Sequence, residues 1–474
     1  MKKLLLFICM FSCSFSCFFA NAKDKNPLGL KSSYKETITK VKLVKDLVKD
    51  YGLVSSQTKD QSQKLQSAIN DISKKGGGKL IVPKGTYVFY NVYMNSNVHL
   101  VVDKEAVFKP FLGEKTKTNM LNFGVPSDVF KSNGEKETYI ENASIRASNG
   151  KFTVDYSDVD PNVAWGIRFI SCGQVKNFLI SDFNVKDAFT TYCSVIFTPA
   201  KYKGSRDWSV SRPTNGEIRN ISIIDASPGY GLCQLHGAQS LYFEDLYAEG
   251  GVTLRLETGA GGDYVGVYDI QAKNIVNKDG KTTLLMGPHI AQNGRVLVDG
   301  IKAISTGYAV TMGDGFVGGK HSVNENAIKG RFGDDSRLIN IHAVYGEMAQ
   351  MKTQNLDLFT DEQMKKVKYD NRQYDNLKWF IGPSQGVVRE GTKGCYKVEI
   401  SNVTFEGFSS DIKGIMYAEE LEKIEEKNGK GVSRVIDIKP KARFAKKKKD
   451  KSVEPTKEKK RKKENKSAKQ SKKI

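Results

Sequence analysis

The chain has 474 residues, with 74 Lys and Arg against 53 Asp and Glu and a formal net charge of +21. The surplus is concentrated: residues 439–474 hold 18 Lys/Arg and 4 Asp/Glu, a net +14, and the body between Lys23 and Ile438 is close to neutral at about +5. A near-neutral body lacks the basic footprint of a nucleic-acid-binding domain. The dispersed Cys172, Cys193, Cys233 and Cys395 suit neither a disulfide framework nor a metal-ligand spacing.

Met1-Lys2-Lys3 precedes an apolar run from Leu4 to about Ala20 and the small residues Ala20-Asn21-Ala22. A basic start, an apolar middle and a small-residue cleavage point predict a secretory signal over residues 1–22. An uncleaved anchor and a lipid attached at Cys17 are the alternatives, so the expected location is secreted or cell-surface. Residues 23–53 read as an N-terminal extension and residues 54–438 as one folded domain. Asp60-Gln61-Ser62-Gln63 resembles a capping box, with Asp60 as N-cap and Gln63 reaching back. Leu65, Ala68, Ile69 and Ile72 follow at helical spacing and predict a helix over Asp60–Ser73. Gly76-Gly77-Gly78 ends it, and Lys79–Pro83 begins the first strand. A helix in that place covers strand edges that would otherwise pair with another molecule.

Short strands then recur: Asn97–Val102, Thr138–Arg146, Gln174–Val185, Glu217–Ala226, Gln239–Ala248, Tyr268–Ile275, Arg295–Ser305, Leu338–Gly346 and Val398–Phe405. Second strands such as Ile167–Ile170, Cys193–Phe197 and Leu284–Met286 lie between them. Repeats of roughly 20–30 residues with strand-only content predict an all-β fold, a right-handed single-stranded parallel β-helix with an N-terminal capping helix. Blade signatures of a propeller are absent from the sequence. Residues from about 348 to 378 break the pattern and read as a polar insertion beside the cleft, with a helical stretch near Asp361–Val367. A helix over Ser410–Glu426 is expected to close the C-terminal end. Residues 439–474 are too polar to bury a core; they read as a disordered Lys-rich tail that tethers the protein to anionic surfaces or keeps it soluble.

Gly229–Thr258 carries most of the chemistry. Alternation puts Val252, Leu254 and Leu256 on one face of a strand and Thr253, Arg255 and Glu257 on the other. Gln234 points outward from the preceding strand, and Cys233 beside it reads as a small core residue. A displayed carboxylate suits proton donation, and a displayed guanidinium suits an anionic oxygen. A neighbouring Arg255 also lowers the Glu257 pKa, a conflict that a bound anion relieves by neutralising the arginine.

This stretch resembles the catalytic segment of the iota-carrageenases, glycoside hydrolase family 82. Gln234 and Glu257 stand 23 residues apart inside the family's G-Y-G-L-x-Q…E-G-G-x-x-L-R-x-E-T pattern. Met286-Gly287-Pro288-His289 resembles its G-P-H motif, and Phe380-Ile381-Gly382-Pro383-Ser384 its late I-G-P-S motif. The resemblance runs from about Val54 to Phe405. It implies a secreted, endo-acting hydrolase that cleaves β-1,4 linkages of iota-carrageenan, a sulfated galactan, with inversion of configuration. Glu257 would be the general acid, with Gln234 and His289 at the active site and Tyr230, His236, Thr253 and Arg255 against the substrate. One departure stands out: the family's second carboxylate, an Asp two residues after the acid, is Gly259 here. Asp263, in a glycine-rich bend, and Asp314, two coils along, are the candidates to replace it. The chemistry is expected to need no cofactor and no metal, with a structural calcium ion or a bound anion near Gln234 as compatible additions. The expected partner is the polysaccharide rather than nucleic acid, and the protein is expected to be a monomer. Gly259 also admits a non-catalytic sulfated-polysaccharide-binding β-helix, or a hydrolase for a related galactan. A pectate-type lyase would need an acidic calcium cluster on one strand, which the sequence lacks, and Asp334-Asp335 reads as a turn rather than part of a polygalacturonase site.

Overall fold

The computed structural model describes residues 26–428, apart from residues 116, 125–139, 161–163, 165, 200–211, 259–265, 318–327, 371 and 373–378. The signal segment, the basic tail, Gly259 and Asp263 therefore lie outside the described residues.

Parallel pairing joins 22 strands into one continuous coiled sheet, the parallel β-helix that the repeats predict. Its interior is a stack of aliphatic and aromatic side chains in register from coil to coil. Leu80, Leu100, Ile145, Ile180, Ile218, Phe243, Ala272, Val298 and Leu338 form one such column, and all are fully buried. A one-residue slip would turn the whole column to solvent, so the aliphatic alternation sets the register. Phe108, Phe152, Phe169 and Phe183 pack beside it with ring centroids between 4.9 and 6.2 Å apart.

The Asn residues that lead many strands have a definite task. Asn97, Asn142 and Asn177 adopt left-handed φ values of 61°, 58° and 54° at successive corners, a conformation that Asn tolerates better than other side chains with a Cβ. Their amides bond in a ladder: Asn142 Nδ2 donates to Asn97 Oδ1 at 3.0 Å, and Asn177 Nδ2 to Asn142 Oδ1 at 2.7 Å. Later coils repeat the device, with Asn340 on Asp299 and Asn274 on Asp245.

The capping helix runs Ser62–Lys74 and buries Leu65, Ala68, Ile69 and Ile72. Its expected capping box does not form. Asp60 instead accepts from the Ser62 amide at 3.0 Å, and the Gln61 side chain turns away to accept from the Val88 amide at 2.8 Å. The expected extension is also integrated with the fold. Val44–Asp46 pairs parallel with Gly78–Val82. The segment before it crosses several coils: the Lys31 amide donates to Gln271 at 2.7 Å, the Lys35 amide to Asn177 at 2.7 Å, and Glu36 pairs with Arg146 at 2.7 Å.

The insertion forms a three-stranded antiparallel sheet of Ala349–Lys352, Lys368–Tyr369 and Trp379–Gly382, with its own small core of Ala349, Met351, Leu356, Phe359, Val367 and Phe380. Its helix is shorter than expected, Asp361–Met364. The I-G-P-S motif anchors its return: the Ser384 amide donates to the Gly346 carbonyl at 2.8 Å. The C-terminal helix is Ala418–Asn428, starting later than expected, and Leu421 buries against Tyr308 and Met416.

Candidate active site

One line of strands carries the site. It runs through Val195–Phe197, the last residues of Thr214–Leu235 and of Ala238–Glu257, then Thr282–Gly287, Tyr308–Gly313 and Val388–Gly391. On its outer face Ile196, Gln234, Arg255, Leu285, Thr311 and Arg389 lie in one rung. Leu254, Leu256 and Cys233 turn inward and are fully buried, as the alternation predicts.

Gln234 therefore sits directly beside Arg255, and Glu257 lies two residues further along its strand. Gln234 reaches diagonally, its Nε2 donating to Glu257 Oε2 at 2.9 Å. Arg255 Nη2 donates to the other oxygen, Glu257 Oε1, at 2.6 Å, and Arg255 Nη1 donates to the Gly229 carbonyl. His289 Nε2 stands 4.0 Å from Glu257 Oε1. Its backbone holds a left-handed φ of 47°, and its ring packs on Phe316 with centroids 4.9 Å apart. His236 also faces Glu257 closely enough to act on its charge. Tyr230 lies under the Arg255 guanidinium at 5.5 Å. The structure thus brings together Gln234, Arg255, Glu257, His289, His236 and Tyr230.

Thr253 does not join them. It is fully buried, its hydroxyl donating to the Val276 carbonyl at 2.8 Å and accepting from Asn277 Nδ2 at 3.1 Å. Alternation alone put it on the groove face, but it lies two residues after the Gly250-Gly251 bend, where both glycines take positive φ, and the corner polar cluster claims its hydroxyl. Asp314 is displaced as well. It follows Tyr308–Gly313, two coils beyond the Glu257 strand, or about 10 Å at the usual strand spacing. Its charge acts on Lys393 and Tyr396.

Burial pushes the Glu257 pKa up, but the Arg255 charge and hydrogen bond, with His289 and His236 behind them, outweigh it and hold the carboxyl below its usual range. Without substrate, Glu257 is a carboxylate surrounded by donors. Arg255→Met would leave burial as the largest influence, so Glu257 should then titrate above the ordinary carboxylate range. A carboxyl carbon NMR titration of the two proteins would read the shift, and an unmoved Glu257 would show that Arg255 does not control it.

Several residues around the groove were not singled out from sequence. Arg168 stacks on Tyr192 at 3.6 Å, and Tyr192 packs edge-on to Tyr230, extending the groove toward earlier coils. From the insertion come Lys352 and Trp379, with Lys352 Nζ 4.8 Å from the indole centroid. A methyl group at Gly229 would come within 3.1 Å of that indole, so a glycine there lets the insertion close against the groove. Gln350 fastens it, accepting from the Gly251 amide at 2.7 Å and donating to the Ala226 carbonyl at 3.2 Å. Among the described residues, no group of three or more His, Cys, Asp or Glu is arranged to hold a metal ion.

The fold has close counterparts. The solved structure of a 1,3-alpha-1,4-beta-D-galactose-4-sulfate-3,6-anhydro-D-galactose-2-sulfate 4 galactohydrolase superposes with a TM-score of 0.73 at 28% identity, covering 82% of this chain and 94% of that one. An iota-carrageenase complexed to iota-carrageenan fragments gives 0.72 at 26% identity, with the same coverage. Curated iota-carrageenases from Zobellia galactanivorans and Alteromonas macleodii are 38% and 35% identical over 58% and 57% of this chain. The chain is related to the iota-carrageenases. It spans about half the length, 53%, of each of those two curated relatives. Residues 47–207 also match the family described as rhamnogalacturonase A/epimerase, pectate lyase-like. That match covers the earlier coils and stops before Gln234.

Proposed function

We propose that this protein is a secreted or cell-surface glycoside hydrolase that cuts β-1,4 linkages inside iota-carrageenan chains with inversion of configuration. The observation that carries the reading is the convergence of Gln234, Arg255, Glu257 and His289 on one strand line of a fold shared with iota-carrageenases.

Inverting hydrolysis needs a protonated acid at the leaving oxygen and a base that activates water on the opposite ring face. Glu257 supplies the acid. It is ionised while Arg255 holds it, so the proton must arrive with the substrate. A sulfate ester that engages Arg255 neutralises the guanidinium, and burial then dominates and raises the Glu257 pKa. Gln234 orients the carboxyl through its amide. His289 and Tyr230 hold the sugar beside it, and His236 lies within reach of the same carboxylate. The chemistry needs no cofactor; an anion held near Gln234 and Arg255, or a structural calcium ion, would be an accessory. The protein is expected to act as a monomer.

The test is release of reducing ends across a panel of sulfated galactans. Cleavage confined to iota-carrageenan supports the assignment. Binding without cleavage supports the second reading, a non-catalytic sulfated-polysaccharide-binding β-helix, which the replacement of the second carboxylate by Gly259 favours. The basic tail is assigned to retention on polyanions. Removing residues 439–474 should leave hydrolysis of soluble substrate unchanged and weaken retention on an anionic polysaccharide column, most at low salt, where charges are least screened. Equal retention at low salt would leave the tail a solubilising role only.

A further inference from the structure

Lys281 and Lys352 approach each other although they are far apart in sequence. Lys281 immediately precedes the strand that pairs with the Glu257 strand, its amide donating to the Gly251 carbonyl at 2.8 Å. The Gln350 amide of the insertion donates to the neighbouring Gly280 carbonyl at 3.1 Å. Lys352 shares a strand face with Gln350, whose side chain reaches the same Gly251. Both lysines therefore leave from backbone that meets at one corner of the groove.

The charges facing Lys281 are Arg255 and Glu257 from its neighbouring strand, Lys352 from the insertion, and Arg389 from Val388–Gly391. Three of the four are cations. The one carboxylate is already bonded to Arg255, and Arg389 has its own partner, Glu425, at 3.5 Å. Among the described residues neither lysine forms an ion pair. Two further donors at this wall are buried without an acceptor, Arg255 Nε and Trp379 Nε1, and Trp379 is only 3% exposed. Unpaired cations and unsatisfied donors gathered in a partly dry corner are costly unless an anion completes them.

We propose that Lys281, Lys352 and Arg255, walled by Trp379, form a subsite for one sulfate ester of the bound galactan on the insertion side of Glu257. This rests on the function proposed above and adds to it a place and a switch. Burial, reinforced by the Lys352 and Arg255 charges, brings the Lys281 ammonium down to about 7. The subsite thus holds its full charge below neutral pH and loses part of it as pH rises above neutral, and a bound sulfate pulls the proton back.

The experiment measures binding of an iota-carrageenan tetrasaccharide and its chemically desulfated counterpart to the full chain carrying Glu257→Gln, which prevents turnover. Binding of the sulfated ligand should weaken about tenfold between pH 6 and pH 8.5, the worth of one charge-assisted hydrogen bond. Adding Lys281→Met should cost a similar factor at pH 6 and remove most of the slope. Lys281→Arg, which keeps its charge, should hold the pH 6 affinity at pH 8.5. The desulfated ligand should respond to neither change. Equal losses for both ligands, or a slope that survives Lys281→Arg and so belongs to His289 or His236, would overturn the subsite. Sodium sulfate, titrated against sodium chloride at constant ionic strength, separates the two claims. Sulfate binding that needs Lys281 in a protein that ignores the galactan upholds the subsite and removes the substrate. Normal galactan hydrolysis and sulfate affinity in Lys281→Met remove the subsite and leave the substrate.

Discussion

Glu257→Gln should lower the release of reducing ends from iota-carrageenan by about 10²–10⁴-fold, the usual worth of a general acid. The substitution is nearly isosteric. The new amide oxygen still accepts from Arg255, which now reaches Glu257 at 2.6 Å, and the new amide nitrogen is met by the Gln234 side chain, which turns its oxygen toward it. Binding should therefore survive, and for sulfated ligands it should tighten. Removing the carboxylate frees the Arg255 guanidinium, which is mostly buried at 15% side-chain exposure, for the incoming sulfate. Loss of turnover with equal or better affinity is the signature expected of a proton donor. A structural role would instead lower affinity and stability together. A parent that is fully active on iota-carrageenan and indifferent to Glu257→Gln would remove the assignment, because the proton would then come from elsewhere.

The residues that were legible in the sequence are those whose environment is local or periodic. Leu65, Ala68, Ile69 and Ile72 face the core because a helix repeats every 3.6 residues. Leu254 and Leu256 face it because a strand repeats every two. Glu257 and Gln234 were found by a motif that the fold places on adjacent strands. Position within a bend was less legible: Thr253 obeys the alternation on paper and loses its exposure to a corner built from Val276 and Asn277. Tertiary proximity was not legible at all. Residues 26–43 show no periodicity, because they are held by a few hydrogen bonds to coils as far as 142 and 240 residues away. Lys281 lies in Asn277-Lys278-Asp279-Gly280-Lys281, which has the composition of a solvated turn. Only the insertion, arriving through Gln350, Lys352 and Trp379, turns that corner into a wall of the groove.

The same distinction bears on the missing base. Inversion tolerates carboxyl groups about 6.5–9.5 Å apart, and two candidates stand in for the Asp that Gly259 replaces. Asp314 lies two coils beyond the Glu257 strand, about 10 Å at the usual strand spacing, and its charge acts on Lys393 and Tyr396. Asp263 is six residues from Glu257 in sequence, and Gly259, Gly261 and Gly262 stand between them. Asp263→Asn should therefore abolish hydrolysis, and Asp314→Asn should leave it within about threefold, a change of well under 1 kcal/mol. Gly259→Asp supplies a carboxylate two residues after the acid. If the protein already works through Asp263, Gly259→Asp should maintain or raise turnover and should rescue Asp263→Asn. A protein that is inert until Gly259 becomes Asp would instead be a binding module that kept its acid and lost its base. The order of these four activities, measured on one substrate under one buffer condition, decides between enzyme and binder. Full activity in Asp263→Asn together with loss in Asp314→Asn would show that the base reaches the groove across two coils, and the geometric argument for Asp263 would fall.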